Sequence, residues 1–120
     1  MQGGVVSGYH VGTKIGYPTA NIQVDSDKLV PDNGVYAVRV DVDGQKYGGM
    51  LNIGMRPTLN NGTDKSIEVH ILDFDGDLYG KSICVEFIKF IRKEQRFESI
   101  DILRMQLKED ENVCRKLLAE

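Results

Sequence analysis

Alternation of apolar and polar residues, interrupted by tight-turn signals, is the feature that most constrains the fold of this 120-residue chain. In "VYAVRVDV", residues 35–42, every even-numbered position is apolar or aromatic. A period of two residues is typical of a strand with one buried face. The dipeptide Asp43-Gly44 follows directly, and it favours a two-residue type I′ turn because glycine tolerates positive φ. The segment therefore predicts the first half of a β-hairpin.

Two later segments predict further strands. "SIEVHILDF", residues 66–74, sets one face of isoleucine and valine against a face that carries Glu68, His70 and Leu72. "KSICVEFIKFIR", residues 81–92, carries apolar residues on both faces. A strand buried on both sides suits a closed sheet that is covered on its outside.

The last fifth of the chain changes to a helical period. Ser99 is a candidate N-cap. The apolar residues that recur at helical spacing are Ile100, Leu103, Leu107, Val113, Leu117 and Leu118. The polar stretch Asp110–Asn112 leaves open whether this region forms one helix or two. About six strands followed by one or two C-terminal α-helices, without βαβ alternation, predict an all-β-dominated, small antiparallel barrel.

Composition excludes several classes of function. No apolar run approaches the roughly 20 residues that a membrane span requires, and the first ten residues lack the features of a signal peptide. With 15 basic and 18 acidic residues, a formal charge of −3 argues against a broad nucleic-acid surface but allows a compact polyanion site. Cys84 and Cys114 have no CxxC or histidine partner at metal-ligand spacing. We expect both to be reduced packing residues in a cytoplasmic protein.

Turn-forming residues and oxygen donors are concentrated in "GTKIGYPTANI", residues 12–22. The spacing matches neither a Walker loop nor a GxGxxG loop. Thr19 and Asn21 are two residues apart, so in an extended segment their side chains project to the same side. Their oxygens could complete an Mg²⁺ shell together with nucleotide phosphates and water. An ordinary turn that closes on its own backbone is the alternative.

Several titratable side chains could have either a functional role or an ordinary structural or surface role. Glu68 is either a solvated acid on a strand face or, where that face borders a site, a general base. His10 and His70 have no matched partners, and we expect structural roles for both. Arg92 and Arg96 are expected in a solvated surface cluster.

Five segments occur in the order of a known family: "GVVSGYHVGTKIGYPTANI", "PDNGVYAV", "LNIGMRPT", "IEVHILDFDGDLYG" and "FIRKEQRF". Over nearly its whole length the chain resembles the riboflavin kinase module of bacterial bifunctional riboflavin kinase/FAD synthetases. The resemblance implies a six-stranded antiparallel Greek-key barrel with a C-terminal helix. It also implies an ATP:riboflavin 5′-phosphotransferase, which transfers the γ-phosphoryl group of Mg²⁺-ATP to the ribityl 5′-hydroxyl and gives FMN and ADP. A flavin- or nucleotide-binding barrel without turnover is the alternative.

The resemblance also implies roles for individual residues. Thr19 and Asn21 would hold Mg²⁺ and phosphate oxygens, and Glu68 would be the catalytic base. The implied ATP contacts are Gly8, Lys14, Thr19, Asn21, Ile71 (through its backbone), Asp73 and Tyr79. The implied flavin contacts are Arg92, Gln95, Phe97 and Ile102. One position departs from the family: Thr13 stands where a basic residue is common, so either Lys14 replaces it or the contact is lost.

Proteins of this kind carry an N-terminal FMN adenylyltransferase domain marked by an HxGH-type motif, which this sequence lacks. The resemblance therefore implies that residues 1–120 form a riboflavin kinase domain, excised from a longer bifunctional chain and starting at an added Met1. We expect ATP and riboflavin as its small-molecule substrates, no FAD synthesis, and no nucleic-acid or membrane partner.

Overall fold

The structure, a computed structural model, describes residues 1–7, 16–24, 30–57, 63–74, 76, 78 and 80–119. Six strands and one helix are found in this part of the chain. In order they are β1 (Gln2–Ser7), β2 (Ala20–Gln23), β3 (Gly34–Val42), β4 (Gln45–Pro57), β5 (Thr63–Ile71), β6 (Ser82–Arg92) and α1 (Ile100–Leu118).

The six strands close into an antiparallel barrel in the order β1-β2-β5-β4-β3-β6. Strands β3, β4 and β5 form a meander, and β6 returns to lie beside β3, which is a Greek-key arrangement. The predicted barrel is confirmed. The barrel interior is filled by one face of each strand, and the largest fully buried side chains in this core are Val38, Val40, Leu51, Ile53, Val69, Leu78, Ile83 and Val85.

The predicted hairpin between β3 and β4 is confirmed. Val42 pairs with Gln45, so the connection has two residues. Asp43 and Gly44 both have positive φ, 52° and 86°, as a type I′ turn requires. The Asp41 carboxylate accepts a hydrogen bond from the Gly44 amide at 3.0 Å, which further supports the turn.

Strand β6 is not buried on both sides, so that expectation is wrong. Ile83 and Val85 are buried in the barrel, but the residues between and beside them are exposed. Two register shifts against β3 each add one residue to β6. Such bulges change which positions face the interior, so that Phe87 and Phe90 both contact the ring of Tyr36. The sequence of β6 shows apolar residues at both odd and even positions because the bulges change which positions face the barrel interior.

Helix α1 is continuous from Ile100 to Leu118, so the stretch Asp110–Asn112 does not break it. Ser99 is confirmed as the N-cap: its Oγ accepts a hydrogen bond from the backbone N–H of Ile102 at 3.2 Å. No helix in the described segments is long and apolar enough to cross a bilayer.

The helix packs on the outer face of β3 and β4. Its apolar side chains form a second, smaller core with residues of the barrel wall: Tyr17, Ala37, Met50, Leu72, Ile91, Leu107, Cys114, Leu117 and Leu118. Close approach is possible because β4 carries Gly48, where a Cβ atom would lie 2.6 Å from Cδ1 of Leu118. Cys114 is a buried packing residue as expected, but Cys84 is exposed on β6, so the expectation that it is a packing residue is wrong.

Candidate active site

A cavity of about 310 Å³ lies between the outer face of the barrel, helix α1 and the segment that joins β6 to the helix. Its lining residues are Tyr17, Thr19, Val35, Met50, Leu51, Asn52, Glu68, His70, Arg92, Glu94, Gln95, Phe97, Leu103, Leu107 and Asp110. The residues from 93 to 97, here called the cover segment, form one wall. It lies close to β4 because Gly54 leaves room: a Cβ atom there would be 2.6 Å from Oε1 of Glu94.

Strand register aligns five residues in one row across the barrel wall. Asn21 is opposite Glu68, Glu68 opposite Asn52, Asn52 opposite Val35, and Val35 opposite Arg92. Neighbouring strands lie about 4.8 Å apart, so the backbones of Glu68 and Arg92 are separated by roughly 14 Å along the sheet. The row therefore joins the predicted metal ligand, the predicted base and a predicted flavin contact.

Glu68 lies on the outer face of β5. Its neighbours Ile67 and Val69 are buried in the barrel interior, which confirms the alternation predicted for this strand. The carboxylate side chain is half-buried because helix and cover segment lie over this part of the wall. Glu68 therefore borders a cleft on the outside of the barrel and does not face the barrel interior.

Thr19 and Asn21 lie on either side of Ala20, which is buried in the barrel interior. The burial of Ala20 between them agrees with the predicted projection of both side chains to one side. Asn21 belongs to strand β2, and it is not among the residues that line the cavity. Thr19 precedes that strand and lines the cavity. A hydroxyl and an amide oxygen beside the Glu68 strand fit Mg²⁺, which prefers oxygen ligands and few protein contacts. Among the described residues, no group of three or more His, Cys, Asp or Glu side chains could hold a metal.

His70 was predicted to be structural, and the structure adds that it lines the cavity. Its Nδ1 lies 2.7 Å from the carbonyl oxygen of Pro18. Because a carbonyl only accepts, Nδ1 carries the proton and donates. The ring also contacts Tyr17 edge to face, with centroids 5.2 Å apart. The sequence feature that could have indicated this is the position of His70 two residues after Glu68, which puts both side chains on the same face of the strand.

A chain of polar contacts connects the same region to α1. Tyr17 donates its hydroxyl proton to Oε1 of Glu111 at 2.8 Å. Arg115 donates to Glu111 at 2.7 Å and to both carboxylate oxygens of Asp73 at 2.9 and 3.0 Å. Burial and the Glu111 carboxylate raise the pKa of Tyr17 to about 12. The hydrogen bonds from Arg115 lower the pKa of Asp73 and that of Glu111.

Arg92 does not belong to a solvated surface cluster, and that expectation is wrong. Its side chain is 18% exposed and forms a salt bridge with Asp110, whose side chain is 2% exposed. The guanidinium carbon also lies 5.6 Å from the centroid of the Phe97 ring. Asp110 was not among the predicted site residues, although it continues the helical spacing of Leu103 and Leu107 and so occupies a position of the helix where an apolar residue is expected.

The other predicted contacts are dispersed. Gln95 lines the cavity beside Phe97. The side chain of Ile71 is buried in the barrel core, so only its backbone is available to a nucleotide. Asp73 lies outside the cavity lining and pairs with the helix, and Ile102 is 47% exposed while Leu103 lines the cavity. Gly8, His10, Thr13, Lys14 and Tyr79 lie outside the described residues. The binding roles of all these residues stay predictions.

The chain matches a known protein family and known relatives over nearly its whole length. Residues 1–118 match the family model for flavokinase, riboflavin kinase. A bifunctional riboflavin kinase/FMN adenylyltransferase of Pseudomonas fluorescens is 43% identical over 119 residues, which are 99% of this chain and 38% of the relative. The chain thus spans well under half of that relative.

Solved structures share the fold. A riboflavin kinase from Trypanosoma brucei has a TM-score of 0.71 at 28% identity, with 99% of this chain and 78% of that chain covered. A Streptococcus pneumoniae protein described as a macrolide-efflux protein has a TM-score of 0.88 at 41% identity, covering 95% of this chain and 37% of that protein. With a family match that extends from its first residue to its helix, the chain belongs to the riboflavin kinase (flavokinase) family.

Proposed function

We propose that this chain transfers the γ-phosphoryl group of Mg²⁺-ATP to the ribityl 5′-hydroxyl of riboflavin, giving FMN and ADP. The observation that carries the proposal is the row across the barrel wall. It has oxygen donors at one end, a carboxylate next to them and an aromatic, arginine-containing wall at the other end. Riboflavin has matching parts: a flat ring system joined to a flexible polyol chain.

Glu68 acts as the general base in this arrangement. It accepts the proton of the 5′-hydroxyl as that oxygen attacks the γ-phosphorus of ATP, and the bond from phosphorus to the β-phosphate bridging oxygen breaks. A base needs to be within hydrogen-bond reach of the proton that it removes. The side chain of Glu68 borders the cavity and is half-buried, so a hydroxyl at this position would be shielded from bulk water.

Thr19 and Asn21 would hold the metal and the phosphates. When bound, Mg²⁺ neutralises negative charge on the transferring phosphoryl group. The two side chains lie on the outer side of the wall, and Asn21 is the direct cross-strand neighbour of Glu68. This proximity would bring the γ-phosphate to the hydroxyl from which Glu68 removes a proton. Most of the catalysis would then come from positioning and charge neutralisation.

The ring system of riboflavin would occupy the other end of the cavity. Phe97 and Arg92 offer a stacking surface and hydrogen-bond donors, and Leu103 and Leu107 offer apolar contact from the helix. The distance of roughly 14 Å between the backbones of Arg92 and Glu68 along the sheet gives room for both ring and ribityl chain.

Residues 1–120 would act as the kinase domain of a longer bifunctional protein. The chain covers 38% of the length of its Pseudomonas fluorescens relative, whose name includes an FMN adenylyltransferase activity. The partner within such a protein would be an adenylyltransferase domain that converts the FMN made here into FAD.

Incubation of the purified chain with riboflavin, ATP and Mg²⁺, followed by chromatography, tests the proposal. FMN should form, should not form when ATP is omitted or Mg²⁺ is chelated, and should not be converted to FAD by these 120 residues. Formation of FAD would contradict the domain assignment. Riboflavin binding without FMN formation would favour the alternative, a barrel that binds flavin without turnover.

A further inference from the structure

Asp110 is the one buried charged residue among those that the structure describes, with a relative exposure of 1%. It lies on the inner face of α1 and lines the cavity. A buried carboxylate is costly unless its charge is compensated and its oxygens accept hydrogen bonds. Its presence in an otherwise apolar helix face therefore requires a specific explanation.

The carboxylate is fully engaged by two side chains. Arg92 Nε lies 3.0 and 3.1 Å from its two oxygens, and Nη2 of Arg92 lies 2.9 Å from Oδ2. Gln106 donates its amide to Oδ1 at 3.0 Å, from one turn earlier on the helix. The bidentate contact of Arg92, through Nε and Nη2, fixes the plane of the guanidinium group, whereas a single hydrogen bond would leave that group free to rotate.

The arginine in turn contacts the cover segment. Its Nη1 donates to the backbone carbonyl of Lys93 at 3.2 Å, and its guanidinium carbon lies 5.6 Å from the ring centroid of Phe97. Three of the five N–H donors of Arg92 are thus used: that of Nε, one of Nη1 and one of Nη2. The other two have no protein partner in the described part of the chain. Arg92 lines the cavity, where these donors are available to a ligand.

Stability alone does not account for this pair. A buried ion pair is often no more stabilising than an apolar pair of similar volume, because desolvation offsets the attraction between the charges. The apolar neighbours Leu107 and Cys114 show that this helix face already packs well on the barrel. The pair does, however, join the barrel, the cover segment and the helix at the ring end of the cavity.

We propose that Asp110 is a positioning residue for the flavin ring. It holds the guanidinium of Arg92 in one orientation, and through Arg92 it keeps the cover segment against the cavity. The carboxylate also cancels the charge of Arg92, so this end of the cavity suits an uncharged, flat heterocycle with carbonyl acceptors and not a phosphate group. The inference rests on the proposed function and adds Asp110 as the residue that positions Arg92 at the ring end of the cavity.

Kinetic analysis of Asp110→Asn tests this assignment. The variant should raise KM for riboflavin about tenfold or more, as expected when a hydrogen bond to a charged group is lost. KM for Mg²⁺-ATP should change less than about twofold, because the oxygen donors lie at the other end of the row. The matched control is Glu109→Gln, which makes the same kind of change at the neighbouring, exposed helix position and should leave both values unchanged.

The double variant R92M/D110L separates positioning from stability. Replacing both partners by apolar residues should recover the melting temperature that Asp110→Asn loses, but should not recover riboflavin affinity measured by quenching of flavin fluorescence. Recovery of both would show that the pair only supports the fold. Equal changes in both KM values, or a parental KM for riboflavin in Asp110→Asn, would also overturn the inference.

The same measurements distinguish this inference from the proposed function. If the parent chain forms FMN and Asp110→Asn has parental riboflavin affinity, only the role of Asp110 is wrong. If the parent binds riboflavin without forming FMN, the kinase function is wrong, and the fluorescence titrations still decide the role of Asp110. A parent chain that does not bind riboflavin overturns both.

Discussion

At the scale of single residues, Glu68 depends on its strand neighbours for its position. Ile67 and Val69 are buried in the barrel, which directs the carboxylate outward, and the pairing with Asn21 and Asn52 places polar side chains on both sides of it. Alternation in the sequence predicts two faces of this strand, but it does not predict which face borders a site. That depends on the helix and cover segment, which are far away in the chain.

Replacing Glu68 by Gln should lower kcat while leaving riboflavin and Mg²⁺-ATP binding nearly unchanged. Glutamine keeps the shape of the side chain but cannot accept the proton. General bases contribute about 10²–10⁴-fold, and a loose phosphoryl-transfer transition state places the expected loss near the lower value. The melting temperature should report a stability within about 1 kcal/mol of the parent, because the side chain is not part of the core.

A Glu68→Gln variant that makes FMN at the parental rate would remove this residue from the mechanism. A variant that fails to fold would show that the carboxylate supports the structure. Steady-state kinetics, thermal denaturation and flavin titration of the same protein samples distinguish these outcomes.

At the scale of elements, α1 connects the segments around the site. Asp110 contacts Arg92 at the end of β6, Glu111 contacts Tyr17 before β2, and Arg115 contacts Asp73 after β5. The N-cap and the helical period were predictable because both depend on residues close in sequence. These three polar contacts were not, because each joins residues that only the folded barrel brings together.

Strand β6 is a second feature that depends on contacts between residues far apart in the sequence. Its apolar residues were apparent in the sequence, but its two bulges are properties of the register against β3. Bulges place Phe90 toward Tyr36 and Arg92 opposite Val35, on the outer face. A strand considered alone carries no information on such pairing, so the inferred burial of both faces was wrong.

The helix contact of Glu111 predicts a pH-dependent effect on stability. Its pKa is lowered in the folded state, chiefly by the hydrogen bond from Arg115. A lowered pKa means that the ionised carboxylate stabilises the fold above the ordinary value of 4.5, and that this contribution is lost as the pH falls through the lowered pKa. Glu111→Gln should therefore destabilise the protein at pH 7, by up to about 1 kcal/mol for a partly exposed pair.

Urea denaturation at several pH values measures this effect. The difference in unfolding free energy between parent and Glu111→Gln should be largest near pH 7 and should shrink as the solution is acidified below pH 4.5. Glu109→Gln, on the exposed side of the same helix, should show little difference at any pH. A difference that stays constant with pH would mean that Glu111 contributes through packing and not through its charge.

At the scale of the whole molecule, the barrel provides a rigid wall and the helix with the cover segment encloses its outer face. Strand count, hairpin chemistry and the absence of βαβ alternation were sufficient to predict the barrel. The position of the cavity was not predictable from these features, because it depends on where α1 packs. The family resemblance suggested candidate site residues, whose roles stay predictions, and the strand register places three of them, Asn21, Glu68 and Arg92, in one row.

Transfer of labelled phosphate tests the central claim most directly. With γ-labelled ATP, Mg²⁺ and riboflavin, the parent chain should move the label into FMN in proportion to the riboflavin consumed, and Glu68→Gln should do so about 10²-fold or more slowly. Label that remains in ATP, or that is released as free phosphate while riboflavin stays unmodified, would contradict the assignment of this cavity as a riboflavin kinase site.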